Sequence, residues 1–599
     1  MSRTEPTYIG DVQSVSGGVV HVVLKEMTSS IALVGGESYR VGQVGAFLRV
    51  PLGYTQLYGV CTQVGAAAIP ANVQQSPGPE GGQRWLALTL FGEELGGQFE
   101  RGVSQYPTIG DEVHLVTGRD LDTMYGSLQQ EAAVTVGCLS VSSGIPARLD
   151  LSRLVSRHSA IVGSSGSGKS NLVARLLESV AAQYPSSRVL LFDPHGEYAS
   201  AVGDQGYAFR VQPETEGDRQ LYVPYWALPF DELKQILWGE FSQSNEAQIR
   251  DEVAALRLDA AQFLKPALER SSVTADSPIP FSARRLWANL ETRERITYLD
   301  SARTKQCDPV VPCDASSLTC PEYPPASSGN AAPFAAAPRG IRKQLDLMKS
   351  RLMDPLYGFL LSPGDNLNPD LDGQCESDLD ALVASWVGHD RSISVVDLSG
   401  SPSDVVAAVV GMMLRVIYDM LFWAGRLGVS GTEQPLLVVL EEAHLFLPEG
   451  QATAASRAAW RIAKEGRKYG VGLMVVTQRP KDIDSSVLSQ CGTMVALRMT
   501  NSADRAKVAS TLPDDLGDLA GSLPALRTGE ALVTGEALPI PSRIMIDKAA
   551  RKLKGSDPEV AEMWSRPARP DEKLYTQALA NWRAGTVQAM AEVKADGGK

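Results

Sequence analysis

The sequence predicts an α/β protein with a central sheet of mostly parallel strands, a smaller β-rich region at the N-terminus and a helical insertion. Residues 1–140 contain short strand-like runs separated by Gly, Pro and Asn, a pattern typical of a small barrel or sandwich. Residues 141–198 and 388–547 contain apolar runs without alternation, several followed by helical stretches, as in parallel sheets covered on both faces. Helical spacing in 199–387 interrupts this pattern, and a mostly helical tail of mixed charge covers 548–599.

Composition sets the first limits on function. The chain has 599 residues, of which 44% are hydrophobic and 21% charged, so it can bury sizeable cores. The net charge is −13, from 56 Lys and Arg against 69 Asp and Glu. This argues against a protein that coats nucleic acid with its whole exterior, but it leaves room for a locally basic pore. Seven cysteines without a disulfide framework favour a reducing compartment.

The N-terminal region predicts a small β-fold. Its strand-like runs include Val19–Leu24, Gln56–Val64 and Trp85–Leu90, and Asn72–Gly82 is predicted to form a loop. No apolar stretch follows Met1–Pro6, so we expect no signal peptide and a cytoplasmic protein.

The first chemical motif is Gly163–Ser170, which fits GxxxxGK[ST] and lies between an apolar strand and a helical run. Glycines at these spacings let backbone N–H groups wrap phosphates at a helix N-terminus. Lys169 should reach the β- and γ-phosphates, and the Ser170 hydroxyl should bind Mg²⁺. A glycine turn with a chance lysine is the alternative, which the strand–loop–helix context disfavours. The predicted nucleotide-binding residues are Gly163, Ser164, Ser165, Gly166, Ser167, Gly168, Lys169, Ser170 and Asn171.

The second motif is the apolar run Leu436–Leu440, followed by Glu441 and Glu442. Carboxylates at a strand end lie where α/β sheets place ligand chemistry. Glu441 occupies the position of the magnesium-orienting Asp of a Walker B strand, from which it departs by one methylene. Glu442 would polarise the attacking water. The alternative, an exposed acidic strand end, is weakened by the presence of the first motif.

Two further strand ends carry polar residues. Gln478, in Thr477–Pro480, could sense the γ-phosphate or orient water, and a simple turn before the proline is equally supported. Asp193–Tyr198 brings two carboxylates and a histidine to the same edge of the sheet. A loop that positions nucleotide or DNA is favoured there over a metal site.

A basic stripe follows the second motif. Four basic residues follow one another at spacings of four, three and four, which places them on one face of a helix: Arg457, Arg461, Lys464 and Lys468. Arg467 lies just off this stripe. The stripe is either a solvated face or a subunit interface that presents cations to a neighbour's nucleotide or to DNA phosphate.

Helical spacing within the insertion predicts helices over Leu233–Trp238, Ile249–Leu264 and Ile341–Leu352, separated by a flexible excursion over Cys307–Ala337. Zinc binding by Cys307, Cys313 and Cys320 is disfavoured, because their spacing has no CxxC pair and no nearby histidine completes a tetrahedral set.

The most apolar segment, Val405–Trp423, is predicted to be a buried helix and not a membrane span, because it carries Arg415 and Asp419.

Taken together, these motifs resemble those of the HerA-type hexameric translocases, in the HerA/FtsK branch of P-loop ATPases. The matching segments are Arg157-His158, Gly163–Ser170, Asp193–Tyr198, Val395–Ser399, Leu440–His444, Glu465–Gly470, Thr477–Pro480 and Leu523–Glu530. They occur in one order from Arg157 to about Glu530. The N-terminal region is similar to the HAS-barrel of the same family, through Tyr8–Val12 and Gly102–Pro107.

The resemblance implies a RecA-like P-loop ATPase core, with ATP and Mg²⁺ at the interfaces of a homohexamer and double-stranded DNA in its channel. Arg157 matches the family's cis-acting arginine. Arg467 matches the arginine that a neighbouring subunit inserts. Members of the family act with a partner enzyme, either a NurA-like nuclease in end resection or a nuclease or sirtuin-like NAD-consuming effector in antiphage systems.

The leading hypothesis is therefore an ATP-driven DNA translocase that acts with a nuclease or other effector bound through the barrel, in bacterial antiphage defence. The sequence contains no nuclease motif of its own, so cutting would need a partner. Two alternatives are an ATP-switched scaffold ring that regulates an effector without translocation, and an end-resection motor with a NurA-like nuclease. A conjugative-secretion ATPase is disfavoured by the HAS-like region and the absence of a membrane anchor.

Overall fold

The computed structural model describes residues 6–25, 30–34, 36–66, 84–126, 132–266, 268–328, 331–336, 340–512, 514–555, 560–565 and 572–584. The predicted Asn72–Gly82 loop lies outside these ranges. Within them the chain forms a small β-barrel, a large mixed sheet flanked by helices and a helical insertion, which confirms the predicted fold class.

The N-terminal region is a closed barrel. Its strands are β1 (Tyr8–Ser16), β2 (Val19–Leu24), β3 (Ile31–Val34), β4 (Glu37–Arg40), β5 (Phe47–Leu52), β6 (Thr55–Ala66), β7 (Arg84–Leu95), β8 (Gln98–Arg101) and β9 (Glu112–Leu115). Six of them follow the order β2-β1-β9-β5-β6-β7, and β2 pairs back to β7. Closure leaves none of these six strands as a free edge. Alternate residues of β2 are buried, as expected for a strand with one face towards a barrel core. A separate hairpin is formed by β3 and β4.

The remaining strands are β10 (Ala133–Leu139), β11 (Ser142–Asp150), β12 (Ser159–Val162), β13 (Arg188–Asp193), β14 (Gly206–Arg210), β15 (Arg219–Gln220), β16 (Thr297–Tyr298), β17 (Phe334–Ala335), β18 (Ile393–Asp397), β19 (Leu436–Leu440), β20 (Val471–Thr477), β21 (Thr493–Leu497), β22 (Glu530–Gly535) and β23 (Ser542–Ile546). Twelve of them form one sheet in the order β11-β10-β23-β22-β21-β12-β20-β19-β13-β18-β14-β15. The eight strands from β21 to β15 are parallel. The other four are antiparallel.

Because the eight strands are parallel, their C-terminal ends meet at one edge of the sheet, here called the carboxyl edge, and their beginnings meet at the opposite amino edge. The buried strands β12, β18, β19 and β20 have no exposed residue, which explains why they read as continuous apolar runs. Chemistry that depends on several strand ends is thereby concentrated at the carboxyl edge.

The observed units differ from the predicted boundaries at two places. Strand β10 lies before the predicted boundary at residue 140, yet it pairs with β11 and β23 in the large sheet. Strands β14 and β15 likewise join this sheet, although residues 199–387 were assigned to the insertion. Local pattern shows that a segment is a strand, but the partner of an edge strand is a long-range property.

The helices are α1 (Gly118–Gly126), α2 (Leu151–Ser156), α3 (Lys169–Gln183), α4 (Ala199–Val202), α5 (Phe230–Leu237), α6 (Gln243–Ala260), α7 (Ala283–Arg295), α8 (Arg342–Met353), α9 (Gly358–Leu361), α10 (Leu379–Val387), α11 (Ser403–Ala424), α12 (Ala454–Glu465), α13 (Ser485–Leu488), α14 (Ser502–Ala509), α15 (Val560–Ser565) and α16 (Glu572–Ala584). The insertion contains α5 to α10, and its core is built on the buried side chains of Trp226, Trp287 and Trp386. In the described part of the excursion, Leu318 is buried and isolated bridges join Val311 to Glu322 and Asp314 to Thr319.

Helix α11 is the one helix of the described ranges long and apolar enough to cross a membrane, over Val405–Ala424. Its most apolar window is 61% buried inside the protein. Arg415 donates to the carbonyl of Ala227, and Asp419 pairs with Arg461 at 2.7 Å. The polar residues of the helix therefore have partners within the fold, as expected for a core helix.

Candidate nucleotide site

The phosphate loop joins β12 to α3 at the carboxyl edge of the sheet. Gly166 and Gly168 have φ values of +69° and +107°, which L-residues with a side chain rarely adopt. A side chain at Gly163 would lie 2.7 Å from Ser167 Oγ and 2.9 Å from Leu497 Cβ. The backbone thus requires all three glycines of the motif, and the exposed Ser165 lies between the first two.

The loop is fixed by hydrogen bonds to two other segments. The backbone N–H and the hydroxyl of Ser164 both donate to the Arg498 carbonyl, at 3.0 and 2.8 Å. The N–H of Gly529 donates to the Ser167 carbonyl at 2.9 Å. Neither Arg498 nor Gly529 was predicted as a site residue, and Gly529 gave a signal only as part of the Leu523–Glu530 segment.

Lys169 begins α3 and is 7% exposed. Its Nζ donates to the Ser164 carbonyl at 3.3 Å. Burial lowers the pKa of Lys169, and the negative charges of Glu442, Glu441 and Glu197 oppose that shift. The structure therefore brings the lysine of the first motif together with both carboxylates of the second. A phosphate-bearing ligand at this place would contact the buried positive charge of Lys169.

Glu441 is 4% exposed, and its Oε2 has no hydrogen-bond partner in the described structure. Burial and the neighbouring charge of Glu442 raise the pKa of Glu441 to about 8. The Tyr198 hydroxyl lies against both Glu441 and Ser170, and burial raises its pKa well above its ordinary value. An orphaned buried carboxylate oxygen close to a serine hydroxyl is a donor set that fits a hard divalent cation.

Glu442 has a left-handed backbone, with φ +47° and ψ +46°. Such a conformation is strained for a residue with a side chain and is common at functional sites. Its carboxylate lies 3.3 Å from His444 Nδ1 and accepts from the Gln478 N–H at 3.5 Å. Burial opposes ionisation, but His444 and the charge of Lys169 outweigh it, so the pKa of Glu442 lies below its ordinary value.

Asp193 shapes the turn that follows β13. Its carboxylate accepts from the N–H groups of His195, Gly196 and Tyr198, at 3.2, 2.9 and 2.9 Å. Burial raises its pKa to about 6. These bonds already satisfy the carboxylate, so it serves the turn that carries Tyr198 to the site.

No group of three or more metal-capable His, Cys, Asp or Glu side chains exists among the residues described, including Cys307, Cys313 and Cys320.

The two predicted arginines lie at the amino edge, away from their own phosphate loop. Arg157 precedes β12, whose four residues span ~13 Å, and its Nε lies 3.6 Å from Glu536. Arg467 is exposed and precedes β20, whose seven residues span ~23 Å. Neither side chain is placed to reach the nucleotide site of its own chain. For Arg157 this conflicts with the cis-acting role that the resemblance implies.

Asn171 lies in the first turn of α3, but its side chain is engaged elsewhere. Its Nδ2 donates to the Asp547 carbonyl, and its Oδ1 accepts from the Ala549 N–H, both at 2.9 Å. Its amide thus holds the segment after β23 and is not directed at the phosphate loop, in contrast to the predicted nucleotide contact.

The basic stripe is divided by its contacts. Arg457 pairs with Glu232 of the insertion at 3.4 Å, and Arg461 pairs with Asp419 at 2.7 Å. The stripe ends in the exposed cations Lys464 and Lys468, and the exposed Arg467 lies beside it. Lys464 lies over the Trp460 ring, with its Nζ 3.6 Å from the ring centroid. The first two arginines therefore pair with acidic residues of the fold, whereas Arg467 and Lys468 lie exposed on the turn before β20.

Comparison with known proteins identifies the family of this chain. Residues 134–417 match the family model "Helicase HerA, central domain", and residues 407–549 match "Helicase HerA-like C-terminal". The chain is 29% identical over 477 residues to the DNA double-strand break repair helicase HerA of Sulfurisphaera tokodaii, covering 80% of each chain. It is 25% identical over 499 residues to the protein of that name from Pyrococcus furiosus, covering 77% of this chain and 78% of the other.

Among solved structures, VirB4 of Thermoanaerobacter pseudethanolicus aligns with a TM-score of 0.46 at 15% identity, over 71% of this chain and 98% of the other. The plasmid coupling protein TrwB in complex with ADP and Mg²⁺ aligns with a TM-score of 0.42 at 13% identity, over 74% and 94%. The two family models together span residues 134–549 and contain every motif of the nucleotide site. The chain therefore belongs to the HerA-type P-loop ATPases.

Proposed function

We propose that this chain hydrolyses ATP at the interfaces of a homohexameric ring and uses that energy to move double-stranded DNA. The observation that carries the proposal is the separation of the catalytic groups. Lys169, Glu441 and Glu442 lie together at the carboxyl edge, whereas Arg467 lies beyond β20 at the amino edge. A site that includes Arg467 is complete only when a second copy supplies it. The relatives named as DNA repair helicases support DNA as the cargo.

The residues of the site divide the work. The N–H groups of the phosphate loop and Lys169 bind the phosphates. Ser170 and Glu441 would hold Mg²⁺, since the unpartnered Oε2 of Glu441 fits a cation. A bound ion would supply positive charge against the phosphates. Glu442, ionised at neutral pH and fixed by its backbone, orients and deprotonates the attacking water. Gln478 lies beside Glu442 and positions the same water.

The exchange Glu442→Gln should leave ATP binding intact and slow hydrolysis by ~10²–10⁴-fold, because the amide cannot accept a proton. Phosphate release and binding of a fluorescent ATP analogue measure the two steps separately. Glu433→Gln, an exposed position before β19, is the matched control and should behave as the unmodified protein. A Glu442→Gln protein with full turnover would move the role of the base to Glu441.

The proposed ring is a homohexamer, with a mass near six times the 64.2 kDa of the chain. Arg467 reaches the neighbour's γ-phosphate as a trans-acting cation. Arg157 lies at the same amino edge. We therefore place Arg157 towards the adjoining subunit rather than its own phosphate loop.

DNA binding must rest on local cations, since the chain as a whole carries −13. Duplex DNA should stimulate ATP hydrolysis, and the stimulation should fall steeply between about 50 and 200 mM salt, because each phosphate contact releases counterions. Duplexes of different base composition should be equally effective, because a translocating ring holds every sequence in turn. Turnover that ignores DNA, with effector activity that still requires the ring, would favour the ATP-switched scaffold.

The barrel is the proposed docking surface for a nuclease or NAD-consuming effector in antiphage defence within the cytoplasm. Its exposed apolar side chains support this, with Leu33 75%, Ile109 75% and Tyr54 98% exposed. Loss of a co-purifying effector in a Leu33→Asp variant tests it. A NurA-like nuclease as the retained partner would favour end resection instead.

A further inference from the structure

We propose that an exposed apolar patch formed by Trp423, Leu427 and Val429, the Trp423 patch, is the anchor by which one copy of the chain docks on the next. The proposal rests on the trans role of Arg467 in the proposed function and adds to it a binding surface. The patch lies at the end of α11, on the amino edge, and takes no part in the nucleotide site.

The three side chains are unusually exposed for their type. Trp423 is 80%, Leu427 64% and Val429 60% exposed, within seven residues of chain. Single exposed apolar residues are ordinary, but a cluster of this kind marks an interaction surface. The segment has a defined shape, since the N–H of Leu427 donates to the Ala424 carbonyl at 2.9 Å and the N–H of Ser430 to the Leu427 carbonyl at 2.8 Å.

The residues that flank the patch on either side, Phe422 and Gly431, contact the turn that carries Arg467, Gly466–Tyr469. The ring of Phe422, next to Trp423, lies 4.8 Å from the Tyr469 ring. A side chain on Gly431 would collide with the Tyr469 carbonyl, and one on Gly470 would collide with the Gly431 carbonyl. The segment that carries the Trp423 patch is therefore held against the Arg467 turn at both of its ends.

The expected occupant is a second copy of this chain. Arg467 is separated from its own phosphate loop by the ~23 Å of β20, so the nucleotide it meets belongs to another copy. The surface of that copy must then lie over the Arg467 turn and the adjoining patch. Two cations are exposed on the adjoining segments, Arg426 between Trp423 and Leu427 and Lys468 on the Arg467 turn, and they complement a nucleotide-loaded edge and a chain of net charge −13. A tryptophan with a charged rim is the usual composition of an interface hot spot.

The test is a Leu427→Asp variant of the full chain, compared with Leu299→Asp as a matched control, since Leu299 is a leucine of the insertion with a similar exposure of 57%. Leu427→Asp should weaken self-association at least ~30-fold, as loss of a hot-spot residue does, whereas Leu299→Asp should leave it unchanged. Sedimentation velocity with ATP and Mg²⁺ measures assembly. ATPase activity should become dependent on protein concentration and recover when the variant is concentrated, because its catalytic groups are intact. Trp423→Ala should behave in the same way.

The outcomes separate the two proposals. A Leu427→Asp protein that assembles like the unmodified chain overturns the docking role of the patch, whatever Arg467→Ala does. An Arg467→Ala protein with normal ATPase activity overturns the trans arginine, even if Leu427→Asp dissociates. If Leu427→Asp leaves assembly unchanged but abolishes co-sedimentation with phosphatidylserine vesicles, the patch binds membranes and the proposal is wrong.

Discussion

Lys169→Ala is expected to lower ATP hydrolysis at least ~10³-fold, because the phosphate loop loses its buried cation. Lys169 is 7% exposed and faces Glu441, Glu442 and Glu197. Without it, the triphosphate would approach three carboxylates with no side-chain positive charge between them. Nucleotide binding should therefore weaken together with hydrolysis, in contrast to Glu442→Gln, which should affect hydrolysis alone.

Phosphate release and equilibrium ATP binding on the purified full chain measure both effects. Lys343→Ala is the matched control, since Lys343 is exposed on α8 of the insertion. Thermal unfolding of the two variants establishes that each is folded. If Lys169→Ala retains more than a tenth of the unmodified activity, the loop at Gly163–Ser170 is not the catalytic phosphate site.

Arg467→Ala should leave ATP binding largely intact and suppress hydrolysis by ~10³–10⁵-fold, the range typical of arginine fingers. The transferring phosphoryl group spreads negative charge over its equatorial oxygens, and a cation supplied from outside the pocket stabilises it. Arg467 fits this role because it is exposed and lies at the edge opposite its own phosphate loop. The same geometry argues against a role within its own subunit.

Mixed rings make the test specific. Arg467→Ala subunits keep their phosphate loop, and Lys169→Ala subunits keep their arginine. When the two are mixed and allowed to exchange, an interface with an intact loop on one side and an intact arginine on the other is complete, so some activity should return. Absence of rescue at every mixing ratio, with exchange verified, would indicate a role in cis.

The control arginines follow from the contacts of the basic stripe. Arg457 and Arg461 pair with Glu232 and Asp419, so their replacement by alanine should affect folding stability more than catalysis. Lys464→Ala removes an exposed cation of the same helix and should be neutral. Near-normal ATPase activity of Arg467→Ala would mean that the basic face is merely solvated. Finger-like behaviour of one of the controls would move the assignment to that residue.

The sequence predicted the parts of the site that are local in the chain. The phosphate loop and the strand that ends in Glu441 and Glu442 follow from short motifs, because a strand, its terminal residue and the next helix are neighbours in sequence. Gly529 and Tyr198 reach the same site from distant segments, and only the fold reveals their contacts. The position of Arg157 beside Glu536 was missed for the same reason.

The pairing of distant strands is a second feature that could not be predicted from the sequence. The sequence of β10 is strand-like, as are the barrel strands before it, yet its partner β23 lies some four hundred residues away in the chain. A deletion designed from the predicted boundary at 140 would therefore remove a strand of the ATPase sheet. Removing residues up to Gly126 would spare β10.

The bond from the Gly529 N–H to the Ser167 carbonyl joins the phosphate loop to the hairpin of β22 and β23. That hairpin also meets the barrel region, through Arg101 and the Pro539 carbonyl and through the hydroxyls of Tyr125 and Ser542. If bound nucleotide changes the barrel's affinity for a protein by some factor, that protein must change the affinity for nucleotide by the same factor, because thermodynamic linkage is reciprocal. A protein bound to the barrel would then alter the affinity of the phosphate loop for ATP.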